Sequence, residues 1–205
     1  AEGLRFTDHY AGHTVCRPSR LVLWTGQHVG HTGLTGNRPR SLTGMELIVA
    51  KRLKHVGYAT GGVGKWALGN VDDPSEIDNH GHPNRNGFDY WFGPETSNDG
   101  SIRFELPLWR NDEIVEKHPF DQSTLTRRYT EESLAFIQRN KDGPFFLYLP
   151  HTFPHTPLHV APPFQGRSER GLYGDVVEEL DWSVGKILDT LRGEGLARNT
   201  LVVFT

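Results

Sequence analysis

Two unbroken apolar runs, Phe145-Phe146-Leu147-Tyr148-Leu149 and Leu201-Val202-Val203-Phe204, have the composition of strands covered on both faces of a parallel sheet. Between them, the segment from Tyr173 to Leu191 carries apolar side chains at Val176, Val177, Leu180, Val184, Ile187 and Leu188, the 3.6-residue period of an amphipathic helix. Gly193 and Gly195 supply its stop. Strand, helix and strand in that order predict a crossover unit. The alternation occurs earlier as well: Thr43-Gly44-Met45-Glu46 has capping-box spacing ahead of Leu47, Ala50 and Leu53, and Gly57 closes that helix before a strand from Tyr58 to Val63. A further helix, Leu125 to Arg139, uses Tyr129, Leu134 and Ile137, then stops before Asp142-Gly143-Pro144 and the Phe145 strand. Residues 70 to 120 are rich in Asn, Asp, Gly and Pro without firm periodicity and read as a long surface excursion. The pattern predicts an α/β domain, a mostly parallel sheet flanked by helices, spanning residues 1–205.

Composition narrows the function. At 205 residues the chain can bury ~70% of its unfolded surface. A net charge of -3 offers no general attraction to nucleic acid or to an anionic membrane, and no run approaches the ~18 apolar residues of a membrane span. The single Cys excludes an internal disulfide and any Cys-based zinc site. The start at Ala1-Glu2-Gly3, without Met, reads as a chain cut from something longer, so a missing signal peptide carries little weight.

That Cys lies in the most informative stretch, Cys16-Arg17-Pro18-Ser19-Arg20-Leu21-Val22-Leu23-Trp24-Thr25-Gly26. Pro18 suits the first turn of a helix and Gly26 its end, which puts Cys16 at a helix N-terminus. Backbone N–H groups and the positive end of the dipole favour an anion there, and Arg20, one turn on, adds a fork of charged donors.

The motif Cys16-x-Pro18-Ser19-Arg20 followed by a helix and Thr25-Gly26 resembles the signature of the type I sulfatases, in the alkaline-phosphatase-like superfamily. Further blocks are similar in family order: Gly64-Lys65-Trp66-Ala67-Leu68-Gly69, Asn86 to Gly93, Pro154-His155-Thr156-Pro157 and Leu201 to Thr205. The resemblance implies that Cys16 is oxidised to formylglycine by a maturation enzyme and that the aldehyde hydrate is the nucleophile. It implies that Arg20 stabilises the hydrate, that Lys65 binds the sulfate, and that His155 contacts the ester and protonates the leaving group. A small-molecule or glycan sulfate ester is the implied substrate, and a periplasmic, secreted or lysosomal protein the implied setting. A gem-diol has an advantage over serine, because its second hydroxyl can expel sulfate without another attack on sulfur.

Two departures follow from the same resemblance. The family block often carries His where this chain has Ala67, so a proton acceptor beside the nucleophile is missing. The family's metal, usually calcium, is held by an acidic pair and an Asp-Asn pair that both lie outside residues 1–205. Cys16, as formylglycine, is then the one metal-side group present, and the segment alone is expected not to turn over. A phosphate or phosphonate monoester hydrolase of the same superfamily and a non-catalytic sulfated-glycan binder are the competing expectations. His151, His155 and His159 have the spacing of zinc ligands on a helix, but Pro150, Pro154 and Pro157 obstruct helix there. His80 and His82 are expected to be solvated, and Tyr90-Trp91-Phe92 to pack rather than to form a sugar platform.

Overall fold

A computed structural model of the chain describes residues 3–36, 42–69, 80–95, 107–117 and 119–205. In chain order the main elements are α1 (Cys16–Thr25), α2 (Val29–Thr32), α3 (Val49–His55), β1 (Ala59–Val63), β2 (Tyr90–Gly93), β3 (Leu108–Arg110), β4 (Glu113–Glu116), α4 (Leu125–Asn140), β5 (Phe145–Tyr148) and α5 (Gly171–Gly193). The strands form one sheet in the order β4-β3-β2-β1-β5. β1 runs parallel to β2 and to β5, with Gly62 opposite both Trp91 and Tyr148, whereas β3 is antiparallel to β2 and to β4. The sheet is therefore mixed: its parallel half surrounds β1 and its antiparallel half is a meander built from β2 to β4.

β1 reads Ala-Thr-Gly-Gly-Val, a poor strand sequence by propensity. Its glycines are required by what packs on them. A Cβ at Gly61 would lie 2.6 Å from the Phe136 ring of α4, and one at Gly62 would overlap Trp91. The bare strand thus lets large aromatic side chains close on its two faces. On one face, Trp24 of α1 meets Trp66, Phe88 and Tyr148 with ring centroids 5.6, 5.4 and 4.6 Å away, and Trp66 and Phe88 both meet Trp91. The opposite face buries Val63, Phe92 and Leu108 against Leu125 and Tyr129 of α4 and Val176 of α5. Alternation along β2 serves both cores, since Trp91 points to the first and Phe92 to the second.

Several expectations change. Far from being a surface excursion throughout, residues 70 to 120 contain β2, β3 and β4, and β2 is the middle strand of the sheet. These strands are only three or four residues long, too short for a period-2 pattern to register. The Leu201–Phe204 run makes no strand: its residues have no ladder partner among the described residues, and Leu201 is 90% exposed. Apolar pattern supplies strand propensity, but a strand forms only where another backbone accepts its hydrogen bonds. The second half of the predicted crossover is accordingly absent, while its helix forms as α5. At Thr43 the box bonds form, with the Thr43 N–H and hydroxyl both reaching Glu46 Oε2 at 2.9 Å, yet they close a turn ahead of α3, which begins at Val49.

Gly64 leaves β1 with φ +129°, and a Cβ there would collide with the Pro150 carbonyl. Gly64→Ala in the full-length protein is expected to lower stability by about 2 kcal/mol or more, through overpacking and backbone strain together. Gly143, which has open space around it, should accept Ala within ~0.5 kcal/mol. Denaturant unfolding of both variants checks this; a Gly64→Ala midpoint equal to that of Gly143→Ala would contradict it.

Candidate active site

Helix α1 begins at Cys16 because the chain turns from extended Val15 into helical backbone there, with the Ser19 N–H donating to the Val15 carbonyl at 3.2 Å. Gly26, at φ +65°, ends the helix by donating its N–H to Val22 at 2.9 Å, as its glycine requires. The half-buried Cys16 side chain consequently occupies the first helical position, at the positive end of the dipole. Arg17 beside it is buried, and desolvation pulls its guanidinium pKa down against the opposing pull of Cys16.

Lys65 stands just past the C-terminal end of β1 and is 3% exposed. The hydrogen-bond ladder does not stop with the strand. The N–H groups of Gly64, Lys65, Trp66 and Ala67 donate to the carbonyls of Phe92, Pro150, Pro94 and Glu95 at 2.8, 2.8, 3.1 and 2.8 Å. The first three donors alternate between the two neighbouring chains, as they do inside a parallel sheet, and the fourth stays with the segment that follows β2. The Lys65 carbonyl in turn accepts from Arg20 Nη1 at 2.6 Å, and the same nitrogen donates to the Tyr148 hydroxyl at 3.0 Å. Burial raises the Tyr148 phenol pKa while Arg20 opposes the rise, so Tyr148 stays neutral and available as an acceptor. Arg20 therefore joins the Cys16 helix, the Lys65 loop and β5. One of its nitrogens is committed to that framework, and the rest of its donor fork is what could meet an anion.

His155 is exposed, on the loop after β5, and its Nδ1 lies 2.6 Å from the Thr156 carbonyl. The carbonyl can only accept, so Nδ1 carries a proton and Nε2 is the ring atom left to exchange one. The structure thus brings Arg20 and Lys65 into direct contact, puts Cys16 one turn before Arg20, and places His155 on the strand-end loop that begins with Lys65's partner Pro150. His151 is half-buried, its Nδ1 out of solvent and its Nε2 3.4 Å from Ser183 Oγ, with the ring near that of Tyr129, while His159 packs on Phe153. These three histidines do not share a helical face, since residues 149 to 161 form no helix. Among the described residues no three of His, Cys, Asp or Glu gather in a cluster suited to a metal.

Two features escape the sequence. Tyr148 passes for one more apolar position of a buried strand; the polar tip of a Tyr in such a run is the available signal. His82, expected in solvent, is fully buried, with Nε2 3.3 Å from Glu95 Oε1 and its ring 5.5 Å from Trp109. The polar character of its surrounding sequence concealed this, because neighbouring Phe88 and Asn86 fold inward with it. His80 is exposed, as expected. Tyr90-Trp91-Phe92 is β2 itself, packed on both faces.

Comparison with known proteins shows the family of the chain. A family model described as Sulfatase matches residues 1–205. The chain is 37% identical over 230 residues to human N-acetylgalactosamine-6-sulfatase, covering all of this chain and 43% of that protein. It is 35% identical over 223 residues to an arylsulfatase of Hemicentrotus pulcherrimus, covering all of this chain and 40% of that one. The chain thus spans less than half the length of these relatives. A solved structure labelled 6S-sulf, from work on glycosaminoglycan metabolism by Bacteroides thetaiotaomicron, superposes with a TM-score of 0.86 at 26% identity, over 97% of this chain and 54% of that one.

Burial holds His151 at about 4, below the ~6.5 of a histidine in the unfolded chain. Between those values the unfolded state takes up a proton that the folded state refuses, so stability is highest above pH ~6.5 and falls as the pH is lowered toward 4. His82, held at about 4 by the same cause, adds to the slope. In the full-length protein, His151→Gln should make the unfolding midpoint fall less steeply across this window. Parallel curves for the two proteins would contradict the buried neutral state.

Proposed function

The chain belongs to the sulfatase family, and from that premise we propose that the full-length protein hydrolyses sulfate monoesters with formylglycine, made from Cys16, as its nucleophile. The observation that carries the reading is the Arg20 Nη1 to Lys65 carbonyl hydrogen bond, 2.6 Å long, which holds the Cys16 helix against the lysine loop. The Cys16 Cβ is the atom that would become the aldehyde carbon, and Sγ stands where one of the two hydrate oxygens would be. One hydroxyl of the hydrate attacks sulfur, the S–O bond to the alcohol breaks, and the alcohol leaves as the sulfuryl group stays on the enzyme. The second hydroxyl then loses its proton, its oxygen re-forms the aldehyde, and the C–O bond to sulfate breaks. Addition of water restores the hydrate, so the sum is one ester and one water giving alcohol and hydrogen sulfate.

The residues divide these tasks. Lys65 neutralises the sulfate oxygens, and because its loop is fixed before substrate arrives, it needs no reorganisation as charge develops. Arg20 stabilises the hydrate with the donors not given to Lys65 and Tyr148. His155, oriented by its Nδ1–H to Thr156, acts through Nε2 as the acid that gives a proton to the departing oxygen. Ala67, where relatives of this type often carry His, is buried with φ +64° and offers no base, so water or another residue takes the proton of the second hydroxyl.

A divalent metal such as calcium is expected in the complete site, polarising the sulfate ester and the formylglycine oxygens. Calcium needs ~6–8 oxygen ligands, and the described residues do not assemble that shell, formylglycine 16 being the metal-side group they contribute. The relatives' names favour a sulfated sugar, with an aryl sulfate as a convenient surrogate. A secreted, periplasmic or lysosomal setting accords with that substrate, and a formylglycine-generating enzyme is the required maturation partner.

In the full-length, matured enzyme, Lys65→Ala is expected to lower turnover of an aryl sulfate by ~10²–10³, the scale of one lost preorganised donor. Cys16→Ala should lower it further, no nucleophile remaining. Rates on matched sulfate and phosphate monoesters complete the measurement. Unchanged turnover in Lys65→Ala would contradict the cradle, and faster phosphate cleavage would replace the sulfatase by a phosphoesterase.

A further inference from the structure

The Lys65 loop is held on one side by a clasp of residues that the proposed chemistry does not use. The Trp66 indole N–H donates to the Gly81 carbonyl at 2.7 Å, and the Ala67 N–H donates to the Glu95 carbonyl at 2.8 Å. Gly81 is followed by His82, whose Nδ1 accepts the Asn84 N–H at 3.3 Å. That acceptor role leaves the proton of a neutral ring on Nε2, the atom that faces Glu95 Oε1 at 3.3 Å, a close polar approach without hydrogen-bond alignment. Backbone and side chain thereby link Trp66 to Gly81, Gly81 to His82 and Glu95 to Ala67, with His82 and Glu95 packed against each other at the remaining junction. Both groups are buried, His82 at 0% and Glu95 at 1% exposure, and Trp109 packs over the imidazole. Burial drives the ring pKa down to about 4, with Asp112 and the Asn111 backbone working the other way, so a neutral N–H facing a carboxyl describes the contact better than an ion pair. A buried imidazole and carboxyl are expensive to desolvate and add little net stability compared with apolar residues of the same shape. Their position, bridging the two backbone segments that grip Trp66 and Ala67, gives them a different use.

We propose that His82 and Glu95 are positioning residues that hold the Lys65–Ala67 segment at the height required to cradle sulfate. The role assigned to Lys65 rests on the hydrolase reading above. The pair acts through the backbone: opening it frees the Gly93–Glu95 segment, and with it the Pro94 and Glu95 carbonyls that fix the two residues after Lys65. A displacement near 1 Å in a catalytic group is enough to cost ~10²-fold.

The test is a double-mutant cycle in the full-length matured protein, read by the affinity for inorganic sulfate and by kcat/KM on an aryl sulfate. His82→Phe keeps the ring on Trp109 and removes the N–H; Glu95→Met removes the acceptor from the other side. Each is expected to weaken sulfate binding and kcat/KM roughly tenfold, whereas Glu95→Gln, which keeps an acceptor oxygen, stays within about twofold. With Ala at position 65, the same changes should cost less than about twofold more. Equal losses with either residue at position 65, or no loss at all, would overturn the proposal by making the pair an ordinary part of the core. If neither apolar variant folds, Glu95→Asp, which only shortens the carboxyl arm, takes its place in the cycle and is held to the same outcomes. Coupled losses of sulfate affinity in a parent that does not hydrolyse the ester would overturn the hydrolase reading and sustain the positioning role.

Discussion

The backbone ladder that runs on past the end of β1 is the constraint on which the site depends. Strands normally give way to loops whose polar groups find water. Here four successive N–H groups, Gly64 to Ala67, donate to protein carbonyls on either side. The chain is gripped there as it is inside the sheet, although it carries the residues of the site. Lys65 can therefore be buried and still be placed by its own main chain. The arrangement demands a residue without Cβ at Gly64, where the Pro150 carbonyl approaches, and at Gly93, where the Gly64 carbonyl does.

Packing gives that ladder its reference point. Trp24 and Arg20 lie one turn apart on α1, Trp24 against Trp66 and Arg20 against the Lys65 carbonyl. Two adjacent residues of one loop are thus registered to two residues of one helix, the first contact apolar and the second a charged hydrogen bond. The helix cannot slide or rotate without breaking one of them. Because the same helix begins at Cys16, the distance from Cys16 to the lysine loop is set by the core rather than by surface contacts. The thin β1 strand, with Gly61 and Gly62 under Phe136 and Trp91, brings the cores on the two faces close together. Rigid placement of this kind is what electrostatic stabilisation of a transferring group requires.

Much of this was legible in the chain, unevenly. Long periodic elements announced themselves: α4 and α5 lie within a residue or two of the segments predicted for them, and Pro18 and Gly26 bracketed α1. Cys16, Arg20 and Lys65 were singled out by the resemblance of their motifs, and the structure places Cys16 at a helix start and Lys65 just past a strand end, positions where α/β sheets present chemistry. The middle of the sheet was hidden, since β2 to β4 are too short to show a period and are embedded among turn-forming residues. His82 and Glu95 were hidden for a related reason: a polar side chain in a polar stretch gives no sign that tertiary contacts will bury it. Leu201–Phe204 shows the opposite failure, a strong strand pattern with no backbone partner among the described residues.

The hydrolytic chemistry proposed for the site requires that position 16 hold an aldehyde rather than a thiol. Mass spectrometry of the peptide containing Cys16, from full-length protein produced together with a formylglycine-generating enzyme, tests this most directly. The account predicts formylglycine, and its hydrate, at position 16. A peptide carrying only unmodified cysteine under those conditions would contradict it.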